Sequence, residues 1–92
     1  MIPMICVRVR VSGRVQGVGY RNFTKTQAAE LGVKGWVQNL PGGGVEALLQ
    51  GERKKVGELL AQMKEGPARA LVSGMDISEV RCQEIEEFKV VY

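Results

Sequence analysis

Residues 13–21 read Gly13-Arg14-Val15-Gln16-Gly17-Val18-Gly19-Tyr20-Arg21. The residues before this segment alternate between apolar and more polar side chains, which is typical of a β-strand with one buried face. The apolar members of that alternation are Ile5, Val7, Val9 and Val11. After the segment, the apolar residues take a helical spacing as far as Leu31. The segment therefore joins a strand to a helix through a glycine-rich turn, since glycine tolerates backbone angles that other residues avoid.

This junction favours the binding of an anion. The free N–H groups and the positive dipole end of the new helix face the turn, and glycines let further N–H groups point the same way. Arg14 and Arg21 add two cations where cations alone are unfavourable. The sequence thus predicts that the turn holds a phosphate group.

Composition narrows the possible functions. The chain has 92 residues, 45% of them hydrophobic, which indicates one globular domain spanning 1–92. It has a net charge of +3 and no histidine, which excludes a histidine base, a phosphohistidine intermediate and most zinc or iron sites. No long apolar run predicts a membrane span, and no secretory signal is evident, so we expect a cytoplasmic protein.

The remaining pattern predicts alternating strands and helices. A helix is expected over 22–31 with Gly32 as its C-cap, then a hairpin of strands 33–40 and 45–50 around the turn 41–44. Gly51 is expected to cap a second helix, which ends at Gly66-Pro67. A fourth strand should cover 73–81, with Met75 and Ile77 facing the core. A short edge strand over 88–92 closes the chain. The second helix carries the clearest apolar stripe, at Val56, Leu59, Leu60 and Met63.

This order, β-α-β-β-α-β with one added strand, predicts an α+β fold. Right-handed crossovers give a ferredoxin-like sandwich with both helices on one face of an antiparallel sheet of order 4-1-3-2. The first and second strands then run in the same direction. Their C-terminal ends share one edge of the sheet, which brings the glycine-rich turn close to Asn39.

Three motifs resemble those of the acylphosphatases. They are the segment 13–21, then Gly35-Trp36-Val37-Gln38-Asn39, then Gly44-Val45-Glu46. Their order and spacing match over almost the whole chain. The resemblance implies a metal-independent hydrolase without a cofactor, which cleaves acyl phosphates to a carboxylate and inorganic phosphate.

The resemblance also implies the site residues. The catalytic arginine of the family falls on Arg21 and its catalytic asparagine on Asn39. The phosphate-binding residues fall on Arg14, Val15, Gln16, Gly17, Val18, Gly19, Tyr20 and Arg21. Tyr20 departs from the phenylalanine that is usual in the family, and its hydroxyl is compatible with packing beside the loop. We expect inorganic phosphate or sulfate as bound anion, a monomer, and no nucleic-acid partner.

These residue types suit the chemistry. A carboxylate is a weak base and leaves without a strong general acid, so the site needs charge stabilisation and a positioned water. The planar guanidinium of Arg21 can pair two oxygens at once. The amide of Asn39 can hold a water but cannot act as a base, so we expect the phosphate of the substrate to accept the proton.

Two other functions fit the fold class. An RNA-binding module uses a similar sheet, but it needs exposed aromatic residues on the two central strands. The outward residues of those strands here are not aromatic: they are Cys6, Arg8, Arg10, Glu46, Leu48 and Gln50, and we expect Arg8 and Arg10 to pair with Glu46 across the sheet. A phosphate-sensing domain would keep the phosphate-binding loop but would not catalyse hydrolysis. The presence of both Arg21 and Asn39 favours the hydrolase.

Cys6 and Cys82 are the two cysteines of the chain. Antiparallel pairing of the first and fourth strands would bring them close, with both thiols on the outer face. The sequence leaves open whether they are bridged, since a cytoplasmic chain usually keeps its thiols reduced.

Overall fold

The computed structural model describes residues 3–92. Its helices and strands follow the predicted order, including the short strand at the C-terminal end. They are β1 (Met4–Arg14), α1 (Tyr20–Leu31), β2 (Lys34–Asn39), β3 (Val45–Glu52), α2 (Arg53–Glu65), β4 (Leu71–Glu79) and β5 (Phe88–Val91).

The strands form one sheet of order β4-β1-β3-β2-β5. The predicted order of the four main strands is confirmed, and their three pairings are antiparallel. The sequence did not specify the direction or partner of the added strand β5, which pairs with β2 in parallel. The segment between β4 and β5 carries the chain from one edge of the sheet to the other.

Both helices pack on one face of the sheet and bury its inward side chains. The predicted stripe of α2 is confirmed, with Val56, Leu59 and Met63 fully buried. The buried residues of α1 are Tyr20, Thr24 and Ala28. Tyr20 also joins the two helices, because its hydroxyl donates a 2.7 Å hydrogen bond to the Met63 carbonyl oxygen. Within residues 3–92, neither helix is long and apolar enough to cross a membrane.

Three local predictions need correction. The helix α1 begins at Tyr20, two residues before the predicted start, because Gly19 already serves as its N-cap. Gly51 does not cap α2, since β3 continues to Glu52 and Glu52 takes the N-cap position. Ile77 is 50% exposed, because β4 is an edge strand and the helices leave its far end uncovered.

The sheet brings the functional segments together. The strands β1 and β2 are both antiparallel to β3 and therefore run in the same direction. The glycine-rich loop follows the C-terminal end of β1, and Asn39 is the last residue of β2. The two segments accordingly meet at the same edge of the sheet, where the N-terminus of α1 also lies.

Candidate active site

A small pocket lies at this edge of the sheet. Its volume is about 110 Å³, which is below the roughly 300–1,000 Å³ of pockets that hold drug-sized ligands. Its size suits a compact anion better than a large organic molecule. The lining residues are Val15, Gly17, Gly19, Tyr20, Arg21, Asn22, Asn39, Val90 and Tyr92.

The loop that enters α1 bends at two glycines. Gly17 and Gly19 have φ angles of 74° and 79°, in the left-handed region that favours glycine. A Cβ atom at either position would meet no atom within 4 Å, so the backbone angle and not crowding requires glycine there. Both glycines line the pocket at the start of α1, so these backbone angles shape its wall.

The N-terminus of α1 has no anionic partner of its own. Gly19 provides no side-chain cap, and the first turn contains no acidic residue. The first N–H groups of a helix lack partners within the helix and carry its positive dipole end. The local charge therefore favours an anion in the pocket.

Arg21 lies in the first turn of α1 and reaches towards the C-terminal end of the chain. Its Nη1 atom donates a 3.2 Å hydrogen bond to the Val91 carbonyl oxygen. Its guanidinium carbon lies 4.8 Å from the centre of the Tyr92 ring, a cation–π distance. Among residues 3–92, no carboxylate oxygen lies within 4.0 Å of its guanidinium nitrogens. The positive charge of Arg21 is thus held in place but not neutralised.

Asn39, the last residue of β2, lines the pocket and carries a buried acceptor. Its side-chain oxygen Oδ1 is buried and accepts no hydrogen bond from any residue between 3 and 92. An acceptor in this condition costs about 1–3 kcal/mol, so such atoms are rare in folded proteins.

Gln16 connects the loop to the turn that follows Asn39. Its amide nitrogen donates hydrogen bonds of 2.8 Å to the Leu40 carbonyl oxygen and 2.7 Å to the Gly44 carbonyl oxygen. The backbone N–H of Leu40 also donates to the Gly44 carbonyl oxygen, at 2.8 Å. One side chain therefore fixes the distance between the glycine-rich loop and the end of β2.

Comparisons with known proteins agree with this architecture. The family model for acylphosphatase matches residues 7–90. An acylphosphatase of Methanothrix thermoacetophila is 69% identical over 88 residues, which cover 96% of this chain and 98% of that protein. The chain belongs to the acylphosphatase family. It is therefore a hydrolase that acts on acyl phosphates, in a family whose activity needs no metal.

Solved structures extend the comparison to the fold. The structure of an acylphosphatase from Coxiella burnetii superposes with a TM-score of 0.92 at 39% identity and covers 96% of this chain and 93% of its own. A structure of full-length HypF, in a phosphate- and nucleotide-bound form, matches with a TM-score of 0.89 at 26% identity. That match covers all of this chain but only 12% of HypF. The acylphosphatase fold therefore also occurs as part of a much longer protein.

The structure brings most of the predicted site residues to the pocket of this acylphosphatase. Five of the predicted loop residues line it together with Asn39. Arg14, Gln16 and Val18 do not line it. Arg14 belongs to β1, is exposed and pairs with Leu71 of β4. The buried Tyr20 contributes packing, and burial raises the pKa of its hydroxyl, which stays protonated and donates to Met63.

Three pocket residues of the acylphosphatase were missed by the sequence analysis. Val90 and Tyr92 reach the pocket because β5 lies beside β2, a pairing that the amino-acid pattern of a short strand does not specify. The aromatic side chain of Tyr92 at the C-terminal end was the one feature of the sequence that could have indicated this contact. Asn22 lines the pocket because α1 begins earlier than its apolar spacing indicates.

Substitution of Gln16 with methionine is expected to lower kcat of this acylphosphatase by about tenfold while inorganic phosphate still inhibits as before. Methionine keeps the length of the side chain but donates to neither carbonyl oxygen, so the end of β2 becomes free to move against the loop, and small misplacements of a reacting group are costly. Steady-state hydrolysis of benzoyl phosphate measures the effect. Gln38→Met is the matched control, because its amide bonds Glu46 instead. An equal loss in both variants would contradict this role of Gln16.

Proposed function

We propose that the pocket hydrolyses the carboxyl–phosphate bond by in-line attack of a water held by Asn39 on a phosphoryl group bound by Arg21 and the loop amides. The observation that carries this proposal is the presence, in one small pocket, of a cation without a carboxylate partner and an acceptor without a donor. Among residues 3–92, Arg21 has no carboxylate partner and Asn39 Oδ1 has no hydrogen-bond donor. A phosphate and a water would satisfy both.

The phosphoryl group would lie over the start of α1. Backbone N–H groups of residues 15–20 and the planar fork of Arg21 supply donors for its oxygens, with Arg14 adding to the positive field near the loop. These groups are held before the substrate arrives, so they stabilise the developing charge without reorganisation. The Val91 carbonyl and the Tyr92 ring orient the guanidinium that does this.

The water would be oriented and not deprotonated by the protein. Asn39 Oδ1 accepts one hydrogen from the water and aims its oxygen at phosphorus, and the amide cannot take up the proton. The proton passes to an oxygen of the phosphoryl group, the bond between phosphorus and the acyl oxygen breaks, and a carboxylate leaves with that electron pair. Because the carboxylate is a good leaving group, positioning and charge stabilisation supply the catalysis.

The proposal also includes the oligomeric state, the location and the partners of the enzyme. Residues 1–92 would act as one monomeric acylphosphatase unit in the cytoplasm, without a nucleic-acid partner. On the outer face of the sheet, Arg10 forms an ion pair with Glu46 at 3.0 Å. This pair supports the absence of a nucleic-acid partner, because the arginine is already engaged within the protein. Inorganic phosphate, as product, or sulfate would bind where the phosphoryl group binds.

Hydrolysis of benzoyl phosphate in ¹⁸O-labelled water with excess EDTA tests the mechanism. We expect full activity, with the label in inorganic phosphate and none in benzoate, and competitive inhibition by unlabelled phosphate. Label in benzoate would show attack at the acyl carbon and overturn the assigned role of the pocket. Activity that disappears with EDTA would overturn the metal-free chemistry.

A further inference from the structure

The two cysteines of the chain come together in the fold. Cys6 belongs to the central strand β1, whereas Cys82 lies in residues 80–87, which we call the strap. The strap connects β4 at one edge of the sheet to β5 at the other, across the face that the helices leave open. Both thiols are free in the structure.

Two contacts fix the strap on either side of Cys82. The backbone N–H of Val80 donates a 2.9 Å hydrogen bond to the Cys6 carbonyl oxygen. The side chain of Gln50 accepts a 2.9 Å bond from the Gln83 N–H and donates a 2.6 Å bond to the Gln83 carbonyl oxygen. Gln50 is the β3 residue that pairs with Cys6. Cys82 is therefore held above Cys6 and not placed there by a freely moving loop.

The two thiols differ in their access to solvent. Cys6 points to the outer face, as the alternation of β1 predicts, but it is only 1% exposed. Cys82 is exposed. Burial, together with the charge and hydrogen bond of Cys82, raises the pKa of Cys6 to about 11. Cys82 is thus the thiol that an outside reagent meets first.

We propose that Cys6 and Cys82 form a disulfide by exchange with a low-molecular-weight or protein disulfide, and that this bond locks the strap to the centre of the sheet. The thiolate of Cys82 attacks one sulfur of the reagent disulfide and displaces the first thiol. Cys6 then loses its proton and attacks the Cys82 sulfur, displacing the second thiol. The two cysteines are oxidised by two electrons, the reagent disulfide is reduced, and the two protons end on the released thiols.

The bond would stabilise the enzyme in two ways. It closes a loop that includes most of the chain, which reduces the conformational freedom of the unfolded state. It also secures the strap that leads to β5, where Gly35 donates a 3.0 Å bond to the Glu87 carbonyl oxygen just before the strand. The strand β5 carries the Val91 carbonyl that orients Arg21. Locking the strap would therefore preserve the pocket at elevated temperature.

Incubation of the native protein with oxidised dithiothreitol, followed by alkylation under denaturing conditions and mass measurement, tests the proposal. We expect a monomer that is lighter by two hydrogen atoms and carries no alkyl group. The oxidised protein should unfold about 10 °C or more above the reduced protein, and reductant should remove the difference. Benzoyl phosphate hydrolysis at 25 °C should be the same in both forms.

Cys82→Ser is the control variant, because this exposed position tolerates serine without disturbing the core. It should show no mass loss and no effect of the oxidant on the melting temperature. Alkylation of both thiols in the oxidised wild-type protein, or a dimer that reductant dissolves, would overturn the proposed disulfide. A disulfide that forms without raising the melting temperature would overturn its locking role.

Discussion

Replacement of Asn39 by alanine is expected to lower kcat by about a hundredfold to a thousandfold, while the inhibition constant for inorganic phosphate changes less than about threefold. The reason is that different residues bind the phosphate and position the water in the proposed mechanism. In the proposed mechanism, the glycine-rich loop and Arg21 bind the phosphoryl group, whereas Asn39 holds the water through Oδ1. Asn39 lines the same pocket, and its Oδ1 atom is buried without a donor among residues 3–92. Loss of the amide would leave binding intact and release the attacking water.

Steady-state kinetics with benzoyl phosphate and phosphate as inhibitor would measure both quantities. Asn22→Ala is the matched comparison, because it removes the same amide from the same pocket, at an exposed position in the first turn of α1. We expect its effect on kcat to stay below about tenfold. A large rise in the phosphate inhibition constant for Asn39→Ala would identify Asn39 as a ligand of the phosphate.

The meeting of Arg21 and Asn39 was predictable from the sequence because it depends only on strand direction. Once the alternation and helical spacing give the order β-α-β-β-α-β, β1 and β2 must run the same way, and their C-terminal ends must share an edge. The strand alternation and the helical spacing therefore predicted that both residues lie at one edge of the sheet, and both line the pocket there. The roles of these residues remain predictions that kinetics must test.

The placement of Tyr92 was not predictable on the same grounds. The final strand has only four residues, and the strap before it is long enough to reach either edge of the sheet. Its pairing with β2 depends on contacts distant in sequence, such as the bond between Gly35 and Glu87. The partners of the Arg21 guanidinium, the Val91 carbonyl and the Tyr92 ring, therefore became visible only in the folded structure.

Substitution of Arg21 by lysine is expected to lower kcat/KM by about a thousandfold and to weaken phosphate inhibition as well, even though the charge is kept. A lysine ammonium is a point charge and cannot pair two oxygens in the plane of a fork. It would also lose the guanidinium geometry that the Val91 carbonyl and the Tyr92 ring now hold. Kinetics with benzoyl phosphate, and inhibition by phosphate, would measure the loss of turnover and of binding separately.

Arg14→Lys and Arg14→Ala separate the effect of shape from that of charge. Arg14 is the neighbouring cation, but it is exposed on β1 and does not line the pocket. Its contribution acts through the electrostatic field alone, which solvent and salt screen. We therefore expect a loss of less than about fivefold in both Arg14 variants. Nearly full activity in Arg21→Lys would show that the site needs only positive charge, and the bidentate role of Arg21 would then be wrong.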